Sequence, residues 1–138
     1  MTSQSFPFDR FLGEFRELSH GRPDGPALRD SVRGHAAPDE DKLVGYLRSG
    51  SALAVTGSRV HDVLRQDSEL IGALELHTDG EWFWYSDLAH YVERYHAALD
   101  EAFINHAHAL DWTPPQLSAE DLIRIGETLD ALFGAEDT

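Results

Sequence analysis

The chain has 138 residues, with 11 Lys and Arg against 25 Asp and Glu, and its formal net charge is −14. It contains no cysteine, which excludes disulfides, thiolate metal sites and cysteine nucleophiles. With 41% apolar residues it is not a disordered acidic chain, and its charge argues against nucleic acid as a partner, because phosphate binding depends on Lys and Arg.

The length predicts a single domain over residues 1–138. The charge divides it into a neutral N-terminal helix and loop (residues 1–37, five acids and five arginines) and an acidic main body (residues 38–138). Residues 95–138 hold nine acids and one base, Arg124. No apolar run approaches the roughly 20 residues of a membrane span, so we expect a cytoplasmic protein without membrane contact.

Two helices are predicted in the first fifty residues. Apolar residues at helical spacing predict the first, namely Phe8, Phe11, Leu12, Phe15 and Leu18. A Gly- and Pro-rich stretch follows, with a helical turn around residues 28–32. Acidic residues after Pro38 and an apolar stripe from Leu43 to Leu47 predict a second helix that ends at Gly50.

Strands follow this helix. Residues 52–56 read as a short strand and residues 58–64 as a helical turn. Residues 70–77 and 81–85 flank Asp79 and Gly80, and Asp-Gly between β-prone runs predicts a hairpin. A two-residue turn would place His77 opposite Trp82 and Glu75 opposite Trp84 on one face. The other face would then carry Leu74, Leu76, Phe83 and Tyr85.

Three helices complete the prediction. Ser86 or Asp87 is expected to cap a helix through Leu99, Asp100 a short helix through Leu110, and residues 118–121 begin the last one. The predicted fold is therefore α+β, with a small antiparallel sheet (the hairpin plus one or two strands) packed against four or five helices.

Eight histidines invite a test for metal binding. Glu-x-x-His occurs at Glu17/His20 and Glu93/His96, but this composition produces such motifs by chance, and His90 and His96 point apart on a helix. No His-Glu-x-x-His, Gly-x-Ser-x-Gly or Walker pattern is present. We therefore expect no metal, no cofactor and no catalytic residue set.

The run Trp82-Phe-Trp-Tyr85 places large rings on both faces of the hairpin. One interpretation is that helices cover both faces, because aromatic residues dominate protein cores. The other is an aromatic and polar patch for a partner, because Trp and Tyr are enriched at binding hot spots. Together with the acidic last helix, this interpretation gives the partner-binding candidates Glu75, His77, Trp82, Trp84, Glu120, Asp121, Glu127 and Asp130.

Residues 77–96 resemble a pattern in small uncharacterised proteins of high-GC bacteria: Thr-Asp-Gly, two tryptophans one residue apart, Asp-Leu-Ala-x-Tyr-Val and a later Tyr-His. The segment Tyr46-Leu-Arg-Ser-Gly50 resembles the same group. Hairpins of this kind are also similar to those of acidic immunity-type proteins that neutralise toxins. The resemblance implies a hairpin followed by a helix and no catalytic residues.

Two functions remain as hypotheses. The first is a non-enzymatic, immunity- or inhibitor-like module that engages a basic protein, with charge setting the association rate. The second is a small enzyme or small-molecule-binding protein with a pocket between the hairpin and the following helix. Besides His77 and Trp84, its pocket candidates are Asp79, Asp87, His90, Tyr91, Tyr95 and His96. A structural or DNA-mimicking role of the acidic face is a further alternative.

Overall fold

A computed structural model describes residues 11–13, 15–18, 25–64 and 69–134; for residues 54–57 and 129–134 it describes the backbone only. The fold is α+β, as predicted: a small antiparallel sheet packs with helices. The elements are α1 (Leu28–Ser31), α2 (Glu40–Arg48), β1 (Ser51–His61), β2 (Leu70–Thr78), β3 (Phe83–Tyr85), α3 (Leu88–Tyr95), α4 (Glu101–Ala109) and α5 (Ala119–Gly134). Among the described residues, none of these helices combines the length and the apolar character needed to cross a membrane.

The sheet has the order β1-β2-β3, and both pairs are antiparallel. β1 runs to His61, so the helical turn predicted over residues 58–64 is wrong. The strand continues because Arg59 and Val60 pair with Ala73 and Gly72, after a register irregularity that begins at Val55. A bulge bends a strand without ending its pairing with the neighbouring strand. The alternation of apolar residues along one strand does not show where a bulge occurs.

The hairpin between β2 and β3 has a longer loop than predicted. Thr78 pairs with Phe83 and His77 with Trp84, so residues 79–82 form a four-residue loop, and the predicted pairing of His77 with Trp82 is wrong. The Asp79 carboxylate stabilises this loop, since its Oδ1 accepts the backbone N–H groups of Glu81 at 2.9 Å and Trp82 at 2.8 Å. Because the register shift is two residues, the strand side chains keep the predicted faces.

The N-terminal segment is not the predicted helix where the structure describes it. Phe11 forms a parallel bridge with Phe83, and the Leu12 N–H donates to the Phe83 carbonyl at 2.8 Å. Leu12, Phe15 and Leu18 are buried. Phe8 lies outside the described residues. The apolar residues of this segment are therefore buried, as their spacing predicts. The segment buries them by pairing with the free edge of β3, and it forms no helix over the residues that the structure describes.

Helix starts follow the predicted caps in two of three cases. The Asp100 carboxylate accepts the Ala102 N–H at 2.9 Å, which begins α4. Ser118 and Asp121 bond each other's backbone N–H groups reciprocally, a capping box that begins α5. Before α3, however, Asp87 makes no side-chain cap bond to the helix. The Ser86 hydroxyl instead bonds β2, where it donates to the Ala73 carbonyl.

The core lies between one face of the sheet and helices α2, α3 and α4. The Trp84 ring is fully buried against Tyr46 of α2 and Phe103 of α4, with centroid distances of 6.2 and 5.6 Å. On the other face, the Phe83 ring stacks on Phe11 at 6.2 Å. Both faces of β3 are therefore covered by the protein itself.

Candidate functional site

A groove of about 460 Å³ lies where the loop before α2, the first turns of α2 and the middle of α3 meet. Its floor consists of small and apolar residues, namely Ala36, Ala37, Val44 and Gly45. Around this floor stand four carboxylates and one guanidinium, those of Asp39, Glu40, Asp41, Glu93 and Arg48. We call this feature the acidic groove.

Glu40 forms the rigid wall of the acidic groove. Although it is 7% exposed, its carboxylate is satisfied: Oε1 accepts from His96 Nδ1 at 2.6 Å, and Oε2 accepts the Ala37 N–H at 3.3 Å. Arg33 lies 3.7 Å from the same Oε2 and donates from Nε to the His96 carbonyl at 2.9 Å. This network joins the loop, α2 and the end of α3, so the groove is held by partly buried polar contacts around Glu40.

The bases beside the groove are already paired with its acids. Arg48 holds Glu93 through two hydrogen bonds of 2.9 and 3.4 Å, and these bonds hold the pKa of the Glu93 carboxyl below its ordinary value. The Lys42 ammonium lies 3.8 Å from the Asp39 carboxylate. Asp41 is exposed on the first turn of α2. An incoming cation would therefore meet a groove with more acid than base.

The same imbalance extends along the described chain. Between residues 33 and 134 the structure describes six Lys and Arg side chains, and all except Arg59 lie within 4.0 Å of a described carboxylate, namely Arg33, Lys42, Arg48, Arg94 and Arg124. From residue 95 onward, Arg124 is the one Lys or Arg, and it bonds Asp121 one turn away at 2.5 Å. The exposed acids of this part of the described chain are Asp100, Glu101, Asp111, Glu120 and Glu127.

The candidates on the hairpin divide into surface and core. Trp82 is 7% exposed and Trp84 is fully buried, with its indole N–H donating to the Leu47 carbonyl at 3.0 Å. The expected aromatic patch is therefore part of the core, because α2 and α4 cover it, and neither ring is presented to a partner. His77 Nε2 lies 2.9 Å from Glu75 Oε1, and both side chains remain partly exposed.

The acidic candidates on α5 have different surroundings. Glu120 and Glu127 are exposed, and Asp121 is half-buried. Hydrogen bonds from the Ser118 backbone and hydroxyl, together with the Arg124 guanidinium, hold the pKa of Asp121 below its ordinary value. The side chain of Asp130 lies outside the described part of the chain. Asp121 is therefore occupied in capping its own helix, and the two glutamates are the accessible acids.

The pocket candidates do not converge on one point. Asp79 is buried, and its Oδ2 accepts from the Tyr46 hydroxyl at 2.5 Å and from His106 Nε2 at 2.9 Å. Burial and the bond to Asp79 raise the pKa of Tyr46 above its ordinary value. Since two backbone N–H groups occupy Oδ1, all acceptor directions of Asp79 are used within the fold.

A second cluster gathers three of the candidates around Asp62. The fully buried Asp62 accepts on Oδ2 from His90 Nε2 and from the Tyr95 hydroxyl, both at 2.7 Å. The Tyr91 hydroxyl lies nearby, where it donates to the His61 carbonyl at 3.3 Å and accepts the Val63 N–H at 3.0 Å. Burial raises the pKa of Tyr91. An Asp–His pair of this kind could orient a general base.

None of the clefts lined by described residues joins the Asp62 cluster to the other candidates. A cleft of about 260 Å³ beside it contains Asp87, together with Arg59 and His61, but none of the other pocket candidates. His96 belongs to the acidic groove through Glu40. Within the described residues, no group of three His, Asp or Glu side chains is placed to hold a metal ion.

Two residues that complete these clusters, Asp62 and Glu40, are not among the site residues that the sequence predicts. Asp62 fell in the supposed helical turn, and only the extension of β1 to His61 brings it to α3. Glu40 was interpreted only as a favourable charge at a helix N-terminus, although it reaches His96, 56 positions away. The Glu93-x-x-His96 motif was visible, but its two side chains turn to different partners, Arg48 and Glu40.

Comparison with known protein families, curated proteins and solved structures finds no match to this chain. The resemblance of residues 77–96 to small proteins of high-GC bacteria and to immunity-type proteins therefore stays a prediction from the sequence.

Proposed function

We propose that this protein is a non-enzymatic, immunity- or inhibitor-like binding module for a basic protein, and that the acidic groove receives a Lys or Arg side chain of that partner. The observation that carries the proposal is the charge imbalance: Arg33, Lys42 and Arg48 pair with Glu40, Asp39 and Glu93, so the acidic groove keeps one carboxylate, that of Asp41, beyond its ion pairs.

The two parts of the acidic surface have separate roles in this proposal. The net charge of −14 attracts a basic partner and raises the association rate; at physiological ionic strength, salt screens this attraction beyond about 8 Å. The groove supplies a concave contact whose walls do not have to reorganise, because Glu40 is fixed by His96 and Ala37. Trp82 and Trp84 lie in the core and have no part in this contact.

The experiment is capture from a bacterial lysate followed by kinetics with the purified, identified partner. The groove variant is Asp39→Asn/Asp41→Asn, in which Asn tolerates the left-handed backbone at position 39 (φ 60°). The matched control is Glu120→Gln/Glu127→Gln on α5, which removes the same two charges. We expect the groove variant to raise the dissociation rate at least tenfold, the scale of one lost charge-assisted contact, and the control to slow association only.

Two results would contradict the proposal. One is a captured partner that is acidic or neutral, or whose binding is independent of salt. The other is an equal effect of the two double variants, which would assign binding to net charge and remove the groove from it.

The enzymatic alternative has less support. It needs at least two of its polar candidates in one cleft, and the described cleft beside α3 contains only Asp87 of that set. The Asp62–His90 pair alone identifies no substrate, so we propose no reaction.

A further inference from the structure

A second cleft, separate from the acidic groove, lies beyond the C-terminal end of α2. It has a volume of about 480 Å³ and is formed by residues 49–51, at the junction of α2 and β1, and by residues 112–117, between α4 and α5. This size lies within the range of small-molecule sites, about 300–1,000 Å³. The cleft belongs to neither the groove nor the Asp62 cluster.

The residues that line this cleft differ from the rest of the protein in charge. Charged residues are 26% of the chain, yet the cleft is lined entirely by uncharged residues. Three hydroxyls (Ser49, Ser51 and Thr113) and the Gln116 amide provide hydrogen-bonding groups, and Trp112 provides an aromatic ring. A ligand that matches this lining is neutral, carries several hydroxyl groups and has an apolar face.

The end of α4 fixes the position of Trp112 at the cleft, with left-handed backbone at residues other than glycine. The Trp112 N–H donates to the Ala107 carbonyl and the Asp111 N–H to the His108 carbonyl, both at 2.9 Å, which is the Schellman pattern at the end of α4. Asp111 and Trp112 both have left-handed backbones, with φ of 56° and 58°. A bulky residue rarely adopts this conformation, and positions of this kind are concentrated at ligand sites.

We propose that the Trp112 cleft binds a neutral saccharide. The apolar C–H face of a pyranose would pack on the Trp112 ring, and its hydroxyls would exchange hydrogen bonds with Ser49, Ser51 and Gln116. A proline-rich peptide fits less well, because grooves for such peptides are lined by several aromatic rings, and this cleft has one. An anionic sugar is disfavoured by the net charge of −14.

Tryptophan fluorescence can report binding in this cleft, because the three tryptophans differ in their exposure. Trp84 is fully buried and Trp82 is 7% exposed, so Trp112, which is half-buried, is the tryptophan most accessible to acrylamide. The experiment is tryptophan fluorescence of the whole chain during titration with maltose and cellobiose, with glucuronate and a neutral proline-rich peptide as separate arms. We expect saturation by a neutral disaccharide and an approximately twofold fall in acrylamide quenching.

Two variants distinguish binding from loss of folding. Trp112→Ala also removes the reporting ring, so its disaccharide binding is measured by titration calorimetry; we expect this binding to be lost while the denaturant midpoint shows that the chain still folds. Gln116→Ala, on the exposed loop, should weaken binding about threefold, the effect of one neutral hydrogen bond, and keep the Trp112 signal. Absence of saturation by either disaccharide, tighter binding of glucuronate, or saturation by the peptide alone would overturn the proposal.

Discussion

Gly50 lies directly against Trp84, and the contact admits no side chain at position 50. A Cβ built on Gly50 would stand 2.6 Å from Cζ2 of the Trp84 ring and 3.3 Å from the Thr78 carbonyl oxygen. The ring cannot retreat, because it is fully buried and its N–H is bonded to the Leu47 carbonyl. Gly50, which the sequence predicts as the end of the second helix, is thus a packing residue, because its lack of a side chain lets the chain after α2 pass close to Trp84.

We therefore expect Gly50→Ala to lower the free energy of unfolding by about 1–3 kcal/mol, the cost of overpacking a core. The matched control is Gly45→Ala on α2, where an added Cβ has no atom within 4 Å and helix propensity favours Ala by about 1 kcal/mol. Urea unfolding followed by circular dichroism measures both. Equal stability of the two variants would show that Trp84 can move.

Asp79 joins three elements through one carboxylate. It binds the Tyr46 hydroxyl of α2, His106 of α4 and two N–H groups of its own loop. We expect Asp79→Ala to cost about 3–5 kcal/mol, because it leaves several buried donors unpaired. Glu101→Ala, an exposed acid in the first turn of α4, should change stability by less than about 0.5 kcal/mol.

Tyr46→Phe gives a finer test of the same cluster. It removes one hydroxyl donor and leaves the ring packing on Trp84 and Phe103 intact, so we expect a loss of about 1–2 kcal/mol. A loss as large as that of Asp79→Ala would mean that Asp79 acts mainly through Tyr46. Calorimetric melting temperatures of the single and double variants would measure the coupling between them.

The Asp62 cluster predicts acid-sensitive stability. Burial works to raise the pKa of Asp62, but hydrogen bonds from His90, Tyr95 and the Leu64 N–H outweigh it and hold the pKa below its ordinary value. A carboxyl group with a lowered folded-state pKa stabilises the protein above its unfolded pKa of about 3.9, and this contribution is lost as the pH falls through the folded-state value.

Asp62→Asn isolates that contribution. We expect the variant to be less stable than the wild type by about 2 kcal/mol near neutral pH, the scale of hydrogen bonds to a charged group, and the difference to shrink as the pH is lowered towards about 2. The depressed carboxyls of Glu93 and Asp121 are present in both proteins and cancel in the difference. A difference that is constant over this range would contradict the prediction.

Local signals predicted much of the fold. The hairpin run, the Asp100 cap and the Ser118 capping box each act within a few residues, and α4 and α5 begin where these signals place them. The predictions that are wrong concern segments whose structure depends on contacts with residues far away in the sequence. Phe11 and Leu12 have the spacing of a helix, but the open edge of β3 provides backbone partners, and the segment bonds there instead. β1 extends beyond the apolar residues that predict it, as far as His61, because β2 continues to pair with it.

The sites were less predictable than the fold, for the same reason. Each histidine–carboxylate pair around α3 and α4 joins residues far apart in sequence: Asp62 with His90, Glu40 with His96 and Asp79 with His106. No spacing rule connects such partners. The hairpin tryptophans were recognised as unusual, and a local pattern could not show that α2 and α4 bury them.

The helix ending at Asp111 provides a test of backbone strain beside the Trp112 cleft. Asp111 occupies the left-handed position after α4, where glycine is the usual residue. Asp111→Gly and Asp111→Ala remove the same charge from the negative end of the helix, so their difference reports the backbone alone. We expect the Gly variant to be the more stable by about 1 kcal/mol, because an L side chain is disfavoured in this conformation. Urea unfolding measures the difference, and acrylamide quenching of Trp112 should stay unchanged in the Gly variant; an Ala variant as stable as the Gly variant would show that the chain adopts another helix ending.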